Sequence, residues 1–216
     1  MTTTLILVRH GQTEWNRVER FRGRHDVPLN EAGLAQAEAA GRRIAAEWQP
    51  TAVYSSPLSR AMVTAEAIAR PFGLAVQPHP GLIDIDYGQW QGLTPDEVRG
   101  QWPDVLDRWY RDPASAYIPG GELLAIVAER AIAAVRGLAA GHEGEAIVLV
   151  SHVVVNRVIL LRALSMAWAS FWRIGQENGA INVLEARGQD LAVVSLNDTC
   201  HLHPGRWTGA DDARAV

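Results

Sequence analysis

Two histidines in this chain stand at the same kind of place. Leu5-Ile6-Leu7-Val8 is an unbroken apolar run that stops at Arg9-His10-Gly11, and residues 146–151 form a second that stops at His152. Runs of this length suit strands buried on both faces, and open α/β sheets bind ligands just beyond the carboxyl ends of such strands. A third short run, residues 52–55, leads into Ser56-Pro57-Leu58-Ser59-Arg60, so Arg60 also falls at a strand end. Histidine with one ring nitrogen unprotonated can act as a covalent nucleophile. Arginine offers a planar fork that pairs with two oxygens of an anion and stays charged. An acidic turn, Asp84-Ile85-Asp86, lies between these segments.

The elements that must position these groups can be read in order. Residues 16–30 carry Arg17, Arg20, Arg22 and Arg24 without an apolar period, as a loop leaving the proposed ligand-binding end. Asn30 caps a helix in which Leu34, Ala37, Gly41, Ile44, Ala45 and Trp48 recur at helical spacing, and Pro50 stops it. Ser56 as cap with Pro57 at the first helical position starts another helix. That helix runs to about Arg70 and ends at Pro71-Phe72-Gly73. Residues 75–77 read as a third strand. Thr94-Pro95-Asp96-Glu97 is a capping box. From Trp90 to Tyr117, aromatics and prolines alternate with charges, as in a lid or insertion, with Trp102, Trp109 and Tyr110 read as packing residues. Pro119-Gly120-Gly121-Glu122 introduces a helix to about Gly137, and residues 180–185 and 192–196 flank Arg187-Gly188-Gln189-Asp190 as a hairpin.

At 216 residues with 48% hydrophobic and 20% charged content, the chain has enough apolar material for one α/β domain. We assign that domain to residues 1–204, with an insertion at about 90–120 and a frayed tail at 205–216. A formal charge of -4 supplies no electrostatic case for nucleic acid or an anionic membrane. An anionic substrate would need a local cluster of positive groups. The one cysteine, Cys200, excludes an internal disulfide and suits a reducing cytoplasm. The amino terminus reads as no signal peptide, and no apolar run approaches the roughly 20 residues of a spanning helix. Cys200-His201-x-His203 is too small a cluster to argue for a metal site. His25, His79 and His142, like His201 and His203, lack the context of His10 and His152.

The string Arg9-His10-Gly11-Gln12-Thr13-Glu14-Trp15-Asn16 resembles the signature of the histidine phosphatase superfamily, also called the phosphoglycerate mutase-like family. Further segments resemble the family in its order, from Leu5 to about Leu202. They are Arg20-Phe21-Arg22-Gly23 with Asp26-Val27-Pro28-Leu29, then Ser56-Pro57-Leu58-Ser59-Arg60-Ala61, then the stretch from Leu82 to Gly92, and finally His152. Four positions depart from the pattern. Arg22 stands where glutamine is more usual, which adds a positive charge to the pocket or else points outward. Asp84 stands where glutamate is usual, one methylene shorter, with Asp86 as the nearby alternative. Leu123 replaces a serine, and Val153-Val154-Val155 replaces glycine or small residues after His152.

The resemblance implies a three-layer α/β/α sandwich with a mostly parallel central sheet and a helical insertion over the site. It implies a phosphoryl group held by Arg9, Arg60 and His152 with donors near Asn16 and Gly23, a nucleophilic His10, and Asp84 as the acid that protonates the departing alcohol. Arginines would take the part that Mg²⁺ plays elsewhere, so no metal or other cofactor is expected. The compact length favours a phosphomonoesterase acting on a small phosphorylated metabolite. The alternatives are a mutase that returns the phosphoryl group to another hydroxyl, and a non-catalytic binder of phosphorylated ligands. Assembly as a homodimer stays open.

Overall fold

The computed structural model of the protein describes residues 1–203, so the tail expected from residue 205 lies outside the described residues. Strands β1 (Thr3–Arg9), β2 (Ala52–Ser55), β3 (Val76–Pro78), β4 (Ala146–Ser151), β5 (Ile181–Arg187) and β6 (Asp190–Asp198) form one sheet in the order β3-β2-β4-β1-β5-β6. The ladders joining β3, β2, β4 and β1 are parallel; β5 runs antiparallel to both β1 and β6. The sheet is therefore mostly parallel, as the resemblance implied.

Strand alternation divides the apolar runs between two cores. Leu5 and Leu7 of β1, with Ile147 and Leu149 of β4, share a cluster with helices α6 (Leu124–Gly141) and α7 (Val153–Ala163). Ile6 and Val8, with Val148 and Val150, pack on the other side against α2 (Glu31–Glu47) and α3 (Ser59–Ala69). Helices thus cover both faces, giving three layers. Each such side chain contributes about 1.5–3 kcal/mol by leaving water, so a polar residue at Ile6 or Leu7 would cost the sheet one of its two supports. Among the described residues no helix is long and apolar enough to cross a membrane.

The insertion consists of α4 (Pro95–Gln101) and α5 (Pro103–Arg111), interrupted at Trp102. Thr94 caps α4 with the reciprocal Thr94–Glu97 bonds that the capping box predicts. Trp109 is fully buried against Tyr87 and Phe171, while Trp102 and Tyr110 pack on the rim of the larger core.

Several boundaries differ from expectation. α3 begins at Ser59 with Leu58 at its cap, not at Ser56 and Pro57. The Ser56 N–H extends the sheet ladder to the Val150 carbonyl (2.9 Å), and its hydroxyl is engaged by His152 (2.7 Å), so the turn waits two residues. Leu34 is exposed although it fits the apolar spacing of α2. Its neighbour Gly33 faces inward, where a Cβ would run into the backbone of Gln12. α6 starts at Leu124, after Glu122 has paired with Arg130, and runs on to Gly141.

Candidate active site

Parallel register brings the chemistry together. Arg9 pairs with Ser151 and Ser55 with Val150, so His10, His152 and Ser56 emerge side by side one step beyond their strands. The His10 N–H donates to the Ser151 carbonyl at 3.0 Å. The two histidine rings lie 5.0 Å apart, tilted by 58°.

His10 Nδ1 lies 2.6 Å from the Gly11 carbonyl oxygen. A carbonyl only accepts, so Nδ1 carries the proton and Nε2 holds the lone pair. Burial, followed by the charges of Arg60, Arg9 and Arg22, holds the His10 pKa well below 6.5. The ring is neutral at pH 7. His152 is likewise held neutral by burial and by Arg60. Its Nε2 meets Ser56 Oγ at 2.7 Å, while Nδ1 stands 3.6 Å from Asp84 Oδ2, too far for a hydrogen bond.

Arg60 is fully buried in the first turn of α3. It donates to the carbonyls of His25 (2.9 Å) and Gly23 (2.7 Å), and through Nη2 to Asp84 Oδ2 (3.3 Å). Gly23 has φ of +51°, and a Cβ there would come within 2.6 Å of Gln91 Oε1, so only glycine presents that carbonyl without strain. Arg9 donates to the Gln176 carbonyl. Burial and the like charges of Arg22 and Arg157 pull its pKa down to about 9, which leaves it charged at pH 7. The buried Nε atoms of Arg9, Arg22 and Arg60 have no partner among the described residues. An unmet buried donor costs about 1–3 kcal/mol, and three around one pocket call for an oxygen-rich anion.

A family model described as "Histidine phosphatase superfamily (branch 1)" matches residues 5–199. The chain belongs to this superfamily. Phosphoserine phosphatase 1 of Hydrogenobacter thermophilus is 35% identical, covering 92% of this chain and 93% of that protein. A metal-independent phosphoserine phosphatase of Arabidopsis thaliana is 36% identical, covering 93% of this chain and 83% of the relative. The solved structure of Bacillus stearothermophilus YhfR superposes with a TM-score of 0.89 at 31% identity, covering 93% of this chain and 99% of that one. This histidine phosphatase is accordingly a hydrolase of phosphate monoesters.

Other expected site residues take different stations around the phosphatase centre. Asp84 is buried beside Arg60 and His152, and burial raises its pKa above 3.8 despite Arg60 and Arg22. Asp86 closes its own turn through the Gly88 N–H (2.8 Å) and faces Arg24 at 3.7 Å. Asp84, not Asp86, therefore lies beside His152. Asn16 spends its side-chain oxygen on Thr13, accepting from its N–H (2.9 Å) and hydroxyl (2.8 Å) at the start of α1 (Glu14–Arg17); only its amide NH₂ is left to offer. Arg22 turns inward, its Nη1 donating to the carbonyls of Trp15 and Arg20, both at 3.2 Å. Val154 and Val155, in the first turn of α7, face the core, so the valines after His152 fill the layer behind it. Among the described residues no group of three His, Cys, Asp or Glu side chains is placed to hold a metal ion.

Sequence reading passed over Ser56 as a histidine partner, and over Arg130. From α6, Arg130 donates to the carbonyls of Gly81 (3.1 Å), Ile83 (2.6 Å) and Asp84 (3.0 Å) while paired with Glu122 at 2.9 Å. One guanidinium thus shapes the irregular segment that carries Asp84. Its only sequence cue was an arginine eight residues beyond Glu122. Arg130→Gln should lower unfolding stability by about 2–4 kcal/mol, since it leaves Glu122 and three carbonyls short of a donor. Denaturant melts measure this. A variant as stable as the wild type would show that the segment holds its own shape.

Proposed function

We propose that this histidine phosphatase hydrolyses a small phosphomonoester through a phosphohistidine formed on His10. His10 Nε2 attacks phosphorus in line with the ester oxygen, and Arg9 and Arg60 neutralise the equatorial oxygens. Protonated Asp84 delivers its proton to the departing alcohol. The resulting carboxylate takes a proton from water, whose oxygen attacks the phosphohistidine; phosphate leaves and His10 returns to its neutral form. The Gly11 carbonyl stabilises the Nδ1 proton while the ring carries positive charge. His152, with its proton held toward Ser56 or toward the phosphoryl oxygen, completes the cradle along with Gly23 and the Asn16 amide.

The observation that carries this reading is His10 itself, neutral, buried, with its Nδ1 proton pinned by Gly11 and three partnerless guanidinium nitrogens grouped at its side. Relatives spanning nearly the whole chain are named phosphatases, which supports transfer to water over return to a second hydroxyl. Their named substrate makes phosphoserine the first candidate to test. A cytoplasmic location fits a chain with one cysteine.

Two measurements test the proposal. Labelled substrate quenched in alkali should leave label on the protein, stable to base and lost in acid, because the phosphorus–nitrogen bond is acid-labile. Label that survives acid would identify a different nucleophile. Activity should also persist in EDTA, since guanidiniums supply the positive charge. Loss on chelation, restored by one divalent ion, would assign the chemistry to a metal.

A further inference from the structure

The pocket holds more positive charge than a phosphoryl group uses. Arg9, Arg22, Arg60 and Arg157 all act electrostatically on one another or on Asp84 and Tyr87. Among the described residues, only Arg60 has a carboxylate within ion-pair distance, namely Asp84 at 3.3 Å. Glu177, near enough to influence Arg9 and Arg157, makes no ion pair with either. Arg9, Arg22 and Arg157 thus have no ion-paired carboxylate among the described residues, with Glu177 and Asp26 acting on the group only from a distance, and a phosphomonoester dianion brings two negative charges to it. Once Asp84 is protonated for its work as an acid, the surplus grows. Buried cations without counter-charges are costly unless a ligand brings them.

Anchoring bonds and electrostatic influence together associate part of this charge with the leaving-group acid. Arg22 precedes Gly23, whose carbonyl orients Arg60. Its Nη1 is anchored by two carbonyls, and its buried Nε has no partner. The residues it chiefly acts on are Asp84, the acid for the leaving group, and Tyr87, three residues farther on. Arg157 reaches the same tyrosine from α7. Its Nε donates to the Ile174 carbonyl (2.9 Å), and its guanidinium lies 5.1 Å and 4.8 Å from the ring centres of Phe171 and Trp172. A neutral glutamine at position 22 could share the phosphoryl oxygens; an arginine there adds a charge that no carboxylate among the described residues pairs with.

We infer that Arg22, with Arg157 acting on the same tyrosine, receives a carboxylate carried by the alcohol portion of the substrate. The inference rests on the phosphatase reading of the same site and names its substrate class: phosphate esters of hydroxy or amino acids. Arg22 makes the specificity contact, and its bidentate fork suits a carboxylate.

Matched substrates isolate the contact. Phosphoserine differs from phosphoethanolamine, and 3-phosphoglycerate from glycerol 3-phosphate, by one carboxylate. The wild type should favour the carboxylate-bearing member of each pair in kcat/KM. Arg22→Gln should reduce that preference by about 10- to 100-fold, the scale of a lost hydrogen bond to a charged group. Arg22→Lys should restore part of it. Equal losses on both members of a pair would assign Arg22 to the phosphoryl group and overturn the inference; so would no loss at all. Binding of 3-phosphoglycerate and glycerol 3-phosphate to His10→Ala protein, followed by calorimetry, needs no turnover. A carboxylate preference there that vanishes in His10→Ala/Arg22→Gln upholds the inference even if the hydrolysis scheme fails. Equal binding of the two ligands refutes it even if the enzyme proves to be a phosphatase.

Discussion

His10→Ala should lose turnover on the order of 10⁵-fold, the scale on which removal of a covalent nucleophile is felt in other enzymes. The variant should also give no base-stable phosphoenzyme. The neighbouring imidazole of His152 has Nε2 tied to Ser56 and Nδ1 facing Asp84 at 3.6 Å, and the guanidiniums remain charged and carry no lone pair. The fold should survive because His10 sits beyond the end of β1, and its Nδ1 bond is to its own neighbour, Gly11. Circular dichroism and a thermal melt establish that the protein is folded before kinetics are compared. A folded His10→Ala protein that retained phosphatase activity within tenfold of wild type would sink the covalent scheme.

For Asp84→Asn the expected loss depends on the leaving group. A positioned general acid is worth about 10²–10⁴-fold, and only where the departing oxygen needs the proton. Alkyl phosphates should lose this full factor in the phosphorylation step. p-Nitrophenyl phosphate should lose little, because nitrophenolate is stable near neutral pH. Single-turnover measurements are needed, since slow hydrolysis of the phosphohistidine would mask the difference. The pH dependence has a definite sign. Asp84 works as an acid only when protonated, and burial raises its pKa above 3.8, so phosphorylation by alkyl phosphates should weaken as pH rises through that raised value. The Asn variant should lack this limb. His10 must be unprotonated to attack, so its own limb has the opposite sign, rising with pH, and lies well below 6.5. Equal losses on both substrate classes would make Asp84 a positioning group, and no loss would move proton donation to Asp86.

What could be read from the sequence was local. An apolar run ending in Arg9-His10 announces a buried strand and the atoms at its end, because strand burial is set by consecutive residues. The same holds for the run before His152, for the Asn30 and Thr94 caps, and for the hairpin of β5 and β6. That both histidines share one pocket follows from parallel register, which the sequence suggested only through the family order of its motifs.

Tertiary structure decided the rest, in most cases through a partner far along the chain. Ser56 reads locally as a helix cap, yet its hydroxyl meets His152, 96 residues away. The direction of Arg22 depended on carbonyls presented by a loop without periodicity. Asp84 is held in its buried place by Arg60 and by Arg130, the latter 46 residues from the Asp84 carbonyl it holds. Leu34 matched the helical spacing, but close approach of the Gln12 backbone turned Gly33 inward and left the leucine outside. Propensity and periodicity are decided within a turn or two of chain. Charge neutralisation, carbonyl anchoring and close packing are decided by whatever the folded layers bring alongside.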